Sequence, residues 1–156
     1  MAPPAKPTRK RKSARKRAPS VKAVKARGAC LCGTVRFEAK LDRDHGDACH
    51  CSQCRRWSGN YWASVNVDLK SLKFLKGASD LSWFRSSDLV RRGFCRTCGS
   101  ALFWHADRHK DYGHRIALAL GALDAPTGVR ISEHIFVADK GDYYDIKDGL
   151  PQKERY

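Results

Sequence analysis

Seven cysteines set the strongest limit on what this 156-residue chain can become, because they fall in three tight groups: Cys30 with Cys32, Cys49 with Cys51 and Cys54, and Cys95 with Cys98. An odd number cannot be consumed by disulfides, and thiols one to three residues apart suit a shared ion better than a covalent framework. A metal protein is expected. Inert core cysteines are the competing explanation, and this degree of clustering disfavours it.

Spacing divides the seven into two sites. In Cys95-Arg96-Thr97-Cys98, followed by Gly99, the two-residue gap lets both thiolates turn toward one ion, and the glycine permits the tight backbone of a knuckle. Cys30 and Cys32 are at i and i+2, so in an extended chain they share a face and can complete a tetrahedron with the distant pair. The middle group offers three sulfurs within six residues. Three protein ligands with a fourth position open is the arrangement of a catalytic zinc site, where the free position takes a substrate group. His50 is a candidate fourth ligand, but between two ligand cysteines in an extended loop its ring is expected on the opposite side. Zinc is the expected ion at both sites, although spacing alone leaves an iron-sulfur or polynuclear cluster on the same ligands open.

Charge separates the chain into two parts. Residues 1–27 carry eleven Lys or Arg and no acidic residue, out of a formal net charge of +15 for the whole chain. Such a segment repels itself and has little to bury, so a disordered basic tail is expected over 1–27, with a zinc-binding domain over 28–156. The tail suits nonspecific contact with phosphates, and a nucleic-acid-associated module is the alternative to an enzyme. An organelle transit peptide is a weaker alternative, since four prolines work against the amphipathic helix it needs. No run approaches the ~20 apolar residues of a membrane span, and no apolar signal core begins the chain, so no membrane partner and a cytoplasmic location are expected.

Beyond Gly28 short apolar runs alternate with turn residues. Val35, Phe37 and Ala39 alternate with Arg36, Glu38 and Lys40, which predicts a half-buried strand. Further strands are expected over 61–67, 72–75, 81–85, 89–94, 101–104, 115–120 and 131–137, with helix confined to a turn or two after Cys51 and around Leu123. The fold class is therefore mainly β, as two small packed antiparallel sheets with zinc-binding loops.

Three motifs in register carry a resemblance. Gly28-Ala-Cys30-Leu-Cys32-Gly33, then Cys49-His50-Cys51-Ser52-Gln53-Cys54-Arg55-Arg56-Trp57-Ser58-Gly59, then Phe94-Cys95-Arg-Thr-Cys98-Gly99-Ser100, with Tyr144 to Pro151 at the end, resemble the glutathione-dependent formaldehyde-activating enzyme family, which also includes centromere protein V. The resemblance spans about Gly28 to Leu150. It implies a β-tent fold with two zinc ions: a structural one on Cys30, Cys32, Cys95 and Cys98, and a catalytic-type one on Cys49, Cys51 and Cys54. It also implies carbon-sulfur lyase chemistry, with glutathione or a similar small-molecule thiol as cosubstrate and S-hydroxymethylglutathione as the family's best-known product.

Other residues have smaller roles in this reading. Arg55 and Arg56 follow the open site and suit the carboxylates of a glutathione-like substrate, although adjacent arginines more often form only a solvated face. Ser58 offers a hydroxyl near the ion or ends the helical turn. Trp57, Trp62, Trp83 and Trp104 are read as core or pocket wall, and His105, His109 and His114 as loop residues. No general base is assigned.

Overall fold

The computed structural model describes residues 24–156. The first 23 residues of the expected basic tail lie outside them. Two sheets pack against each other, one small and one large. Strands β1 (Val24–Ala29) and β2 (Arg36–Leu41) form an antiparallel pair in which Val24 faces Leu41 and Ala29 faces Arg36, and β5 (Lys73–Lys76) adds to the far edge of β2. Along β2 the side chains of Phe37, Ala39 and Leu41 are buried, while Arg36 and Lys40 face water. This is the period of two expected of a half-buried strand.

The tail boundary shifts as a result. Residues 24–27, assigned from charge to the basic tail, are strand. Ala26 and Gly28 point inward, whereas Lys25 and Arg27 point outward to within 3.7 and 3.9 Å of Glu38 on the neighbouring strand. Inward residues this small give no visible apolar period, so the outward cations dominated the pattern.

The large sheet has the order β11 (Gln152–Lys153), β10 (Arg130–Ile135), β3 (His45–Cys49), β4 (Trp62–Asp68), β9 (Arg115–Ala119), β8 (Ala101–His105), β7 (Arg91–Cys95) and β6 (Leu81–Arg85). With eight strands it is not small, and it is not wholly antiparallel: β10 runs parallel to both β3 and β11. The connection from β9 to β10 makes this possible by crossing past β1, where Leu123 bridges Gly28 and the Asp124 amide donates to the Arg27 carbonyl at 2.8 Å. The only α-helix among the described residues, α1 (Ser52–Ser58), begins directly after Cys51, and the turn expected around Leu123 is a three-residue 3-10 helix at Leu120–Ala122. Among the described residues no helix is long and apolar enough to cross a membrane.

Alternation along β4 and β9 gives the large sheet two working faces. Val65 and Val67, with Ile116 and Leu118, pack toward the small sheet beside Phe37, Leu102 and Phe103. Phe37 of β2 meets Phe103 of β8 edge-on at 4.9 Å, and both are fully buried. Each ring contributes about 1.5–3 kcal/mol by leaving water, so this contact is one of the main ties between the sheets. The interleaved residues Trp62, Ala117 and Ala119 face the other way and form a second cluster with Cys49, Cys54 and Ile135. The site lies on that second face.

Candidate active site and metal centres

The turn between β1 and β2 carries Cys30 and Cys32, and the turn between β7 and β8 carries Cys95 and Cys98. Each turn closes through a glycine in the left-handed region: Gly33 has φ 72° and donates to the Cys30 carbonyl at 2.9 Å, and Gly99 has φ 75° and donates to the Cys95 carbonyl at 2.9 Å. Only glycine adopts this backbone without strain, which explains the glycine after each pair. The four sulfurs lie within 4.8 Å of one another. Cys30 and Cys32 are 3.5 Å apart, and Cys32 and Cys95 are 3.9 Å apart. Sulfurs around a tetrahedral ion with bonds of about 2.3 Å should be roughly 3.8 Å apart, so this donor set fits one ion without rearrangement.

The four thiols differ in their surroundings. Cys95 and Cys30 are buried, and burial pushes the Cys30 thiol up to about 11. Cys98, 3.2 Å from the Ser100 hydroxyl, is held down to about 5 by that hydroxyl and the Ser100 amide, and Thr34 lowers Cys32 in the same way. Cys32 is exposed, so the centre sits at the rim of the domain, where the two hairpins meet.

The second group is local. Cys49 ends β3, Cys51 is the N-cap of α1, and Cys54 is the buried residue of that helix. The Cys51 sulfur accepts the Cys54 amide at 3.4 Å, taking the part usually played by a Ser or Asp cap. All three sulfurs lie within 4.8 Å of one another. Hydrogen bonds from Cys49 and then Cys54 hold the Cys51 thiol far below the ordinary range, and the same contacts push Cys49 up. Three adjacent thiols cannot all ionise without a cation, and a divalent ion would remove that conflict.

A cavity of about 600 Å³ opens on this trio and on none of the other four cysteines. That is the size range of small-molecule sites. Its wall includes Trp62 and Trp104, together with Arg43, Arg92 and Arg115 and the acidic Asp47 and Asp139. Arg92 comes closest to the trio. It is 3% exposed, its Nη1 lies 3.6 Å from the Cys54 sulfur, Nη2 donates to Gln53 at 3.2 Å, Nε donates to Ser86 at 3.2 Å, and its guanidinium lies 5.1 Å from the Trp57 ring. The Trp62 indole N–H is buried and has no hydrogen-bond partner, an expensive condition for a buried donor.

Arg55, Arg56 and Ser58 do not line the cavity. The Arg55 Nε donates to the Asp139 carbonyl at 3.0 Å, Arg56 is exposed, and the Ser58 hydroxyl lies 2.9 and 2.7 Å from the Cys54 and Asn60 carbonyls at the end of α1. Nearness in sequence to Cys54 carries these side chains around the helix and away from the opening. Arg92 reaches the site from β7, a distant strand. The available signal was its pairing with Arg91: neighbours on a strand face opposite ways, so one of the two had to point inward.

His50 turns away from both cysteines, as alternation requires, and does not line the cavity. Its ring is fully buried and hydrogen-bonded to Tyr144 and His134. Burial first, and then nearby positive groups, hold it down to about 4, so it is neutral. His105, expected in a loop, instead ends β8, is buried, and lies 2.9 Å from the Gly113 carbonyl. Trp62 and Trp104 form cavity wall, while Trp83 packs on the main core and Trp57 on the second cluster.

The sequence profile of the glutathione-dependent formaldehyde-activating enzymes matches residues 25–139. The chain belongs to this family. Among its relatives are an uncharacterized lyase of Schizosaccharomyces pombe, 23% identical over 76% of this chain and 83% of that protein, and a putative glutathione-dependent formaldehyde-activating enzyme of Penicillium rubens, 30% identical over 51% of this chain and 43% of that protein. A crystal structure of a Rhodobacter sphaeroides protein superposes with a TM-score of 0.54 over 81% of this chain and 98% of that one, at 21% identity, and so shares the fold. The family match takes in all seven cysteines and leaves the segment from Tyr144 to Pro151 outside it.

Proposed function

We propose that this family member is a zinc-dependent carbon-sulfur lyase acting on a thiol-aldehyde adduct, of the glutathione-dependent formaldehyde-activating type, with Cys30, Cys32, Cys95 and Cys98 as structural ligands and Cys49, Cys51 and Cys54 as ligands of the catalytic-type ion. One observation carries the proposal: the group with only three thiols is the group that faces the cavity. Cys49, Cys51 and Cys54 would hold a zinc ion there, and its charge would favour the thiolate form of a substrate thiol.

The chain's own residues supply the rest. Three cysteinates around a divalent ion carry net negative charge, and the Arg92 guanidinium beside Cys54 offsets it in a site where buried charge needs a partner. Of the lining arginines, Arg43 and Arg115 share Asp42 as an ion-pair partner, so Arg92 is the cation best placed to attract a carboxylate of a glutathione-like thiol. Trp62 and Trp104 exclude water around the reacting carbon. In the forward direction the thiol sulfur bonds to the aldehyde carbon, the carbonyl π-electrons move to oxygen, and the proton released by the thiol ends on that oxygen to give the hydroxymethyl thioether.

Purified protein with glutathione and formaldehyde is expected to form the adduct faster than the spontaneous reaction, and Cys54→Ser to return the rate to background with the fold intact. No acceleration with any thiol tested would overturn the proposal. The alternative expected from charge, nucleic-acid association through the basic tail, gains no support from the family match, which begins at residue 25.

A further inference from the structure

Behind the three-cysteine loop, on the side away from the cavity, four side chains form an unbroken line. The Tyr144 hydroxyl is 2.6 Å from His50 Nδ1, His50 Nε2 is 2.8 Å from His134 Nδ1, and His134 Nε2 is 2.8 Å from Asp148 Oδ2. His50 is fully buried, His134 is 4% exposed, and Asp148 is at the surface with its side chain 48% exposed. The direction of donation follows from the acid end. A carboxylate only accepts, so His134 Nε2–H donates to Asp148; with one proton on each ring, His134 Nδ1 then accepts from His50 Nε2–H, and His50 Nδ1 accepts from the Tyr144 O–H. One proton on each ring is enough to satisfy every buried nitrogen in the line.

We propose that this line is a positioning device: the closing segment from Tyr144 to Asp148 holds His50 from both sides and thereby fixes the backbone between Cys49 and Cys51, keeping the three sulfurs at the spacing their ion needs. The inference rests on the reading of the trio as a metal site.

Three features of the geometry support a role beyond packing. His50 is bonded covalently to both flanking cysteine residues, so any rotation of its backbone moves two of the three sulfurs. The main chain is pinned at the same place, since the His50 amide donates to the Ile135 carbonyl at 2.9 Å. The far end is anchored as well: the Leu150 amide donates to Asp148 Oδ1 at 3.1 Å, and the His134 amide donates to the Pro151 carbonyl at 2.8 Å. The four-cysteine centre has no connection to this line, and its turns close through their own glycines. Groups that hold metal ligands from behind typically change metal affinity by about 10–100-fold when removed. This line acts through the backbone rather than through a ligand atom, which places the expected effect near the lower figure.

The two centres provide an internal control. Full-length protein loaded with zinc is mixed with excess colorimetric chelator, and the release of each ion is timed, the three-cysteine phase being the one absent from Cys54→Ser. Tyr144→Phe removes only a hydroxyl, and Asp148→Ala removes a half-exposed carboxylate, so both variants should fold. Each is expected to speed release from the three-cysteine site roughly tenfold while leaving the other phase unchanged. Asp148→Asn keeps an acceptor oxygen for His134 and is expected to stay near the unsubstituted rate. Unchanged release in both Tyr144→Phe and Asp148→Ala would overturn the inference while leaving the site reading intact, and equal acceleration of both phases would show general loosening instead. Only one bound ion in the unsubstituted protein would overturn the site reading and the inference together.

Discussion

The two cysteine groups use the same donor atoms for opposite ends. The four-thiol group is assembled from residues more than sixty positions apart, on turns that belong to different sheets, so closing it joins the small sheet to the large one. The three-thiol group is assembled from six consecutive residues at the end of one strand and the start of one helix. Its assembly joins nothing distant, but it opens on the cavity. Long-range ligands suit an ion that contributes folding energy, and local ligands suit an ion that can be left one partner short.

Substitution should separate the two most sharply. Cys95→Ser removes a fully buried thiol of the group proposed to tie the sheets through an ion, and structural zinc in small domains contributes an apparent ~10–16 kcal/mol to folding. The expected outcome is loss of the cooperative thermal transition, measured by circular dichroism. Cys54→Ser should keep that transition, lower the ion count from two to one, and abolish turnover. A folded Cys95→Ser protein, or an unfolded Cys54→Ser protein, would break the contrast.

A smaller effect is expected at Arg92. Arg92→Lys keeps the charge and loses the fork that spans Cys54, Gln53 and Ser86. Turnover should fall about tenfold or somewhat more with both ions retained, read by steady-state kinetics and metal analysis. Trp62→Phe should lower turnover several-fold. Because it removes a buried donor without a partner, thermal stability should hold or rise by about 1 kcal/mol, whereas a purely structural indole would give no kinetic change.

The smallest effect lies away from both ions. Arg115 donates to Asp42 at 2.9 Å, and this contact first, then the charge of Arg115, lowers the Asp42 carboxyl below its usual 3.8. With the folded value lowered, the contribution is complete above the ordinary value of 3.8 and is lost as pH falls from there through the folded one. With the Asp42 side chain 45% exposed, about 0–1 kcal/mol is expected. Asp42→Asn should lose this contribution at pH 7 and match the unsubstituted protein near pH 2 in urea melts, with ion content unchanged.

What could be read from the chain follows the same division. The cysteine partition and the strands built on large alternating side chains, such as Phe37 in β2 and Val65 and Val67 in β4, were legible because their chemistry is carried by residue type and spacing. Strand β3 was not, since His45-Gly46-Asp47-Ala48-Cys49 has little apolar mass to set a period; its pairing with β4 and β10 comes from the rest of the sheet. Arg92, His134 and Asp148 were missed for a related reason. Each reaches its partners through strand order and crossover, which place residues 14 to 84 positions apart within hydrogen-bonding distance. Local sequence cannot express that neighbourhood.

Stepwise removal of metal from the full chain tests the central claim most directly, with ion content and secondary structure followed together as chelator is added. Two ions per chain are expected, the first leaving early with the sheets intact and the second only as they unfold. Simultaneous departure of both, or a single ion from the outset, would contradict the division between a centre that holds the fold and a centre that serves the cavity.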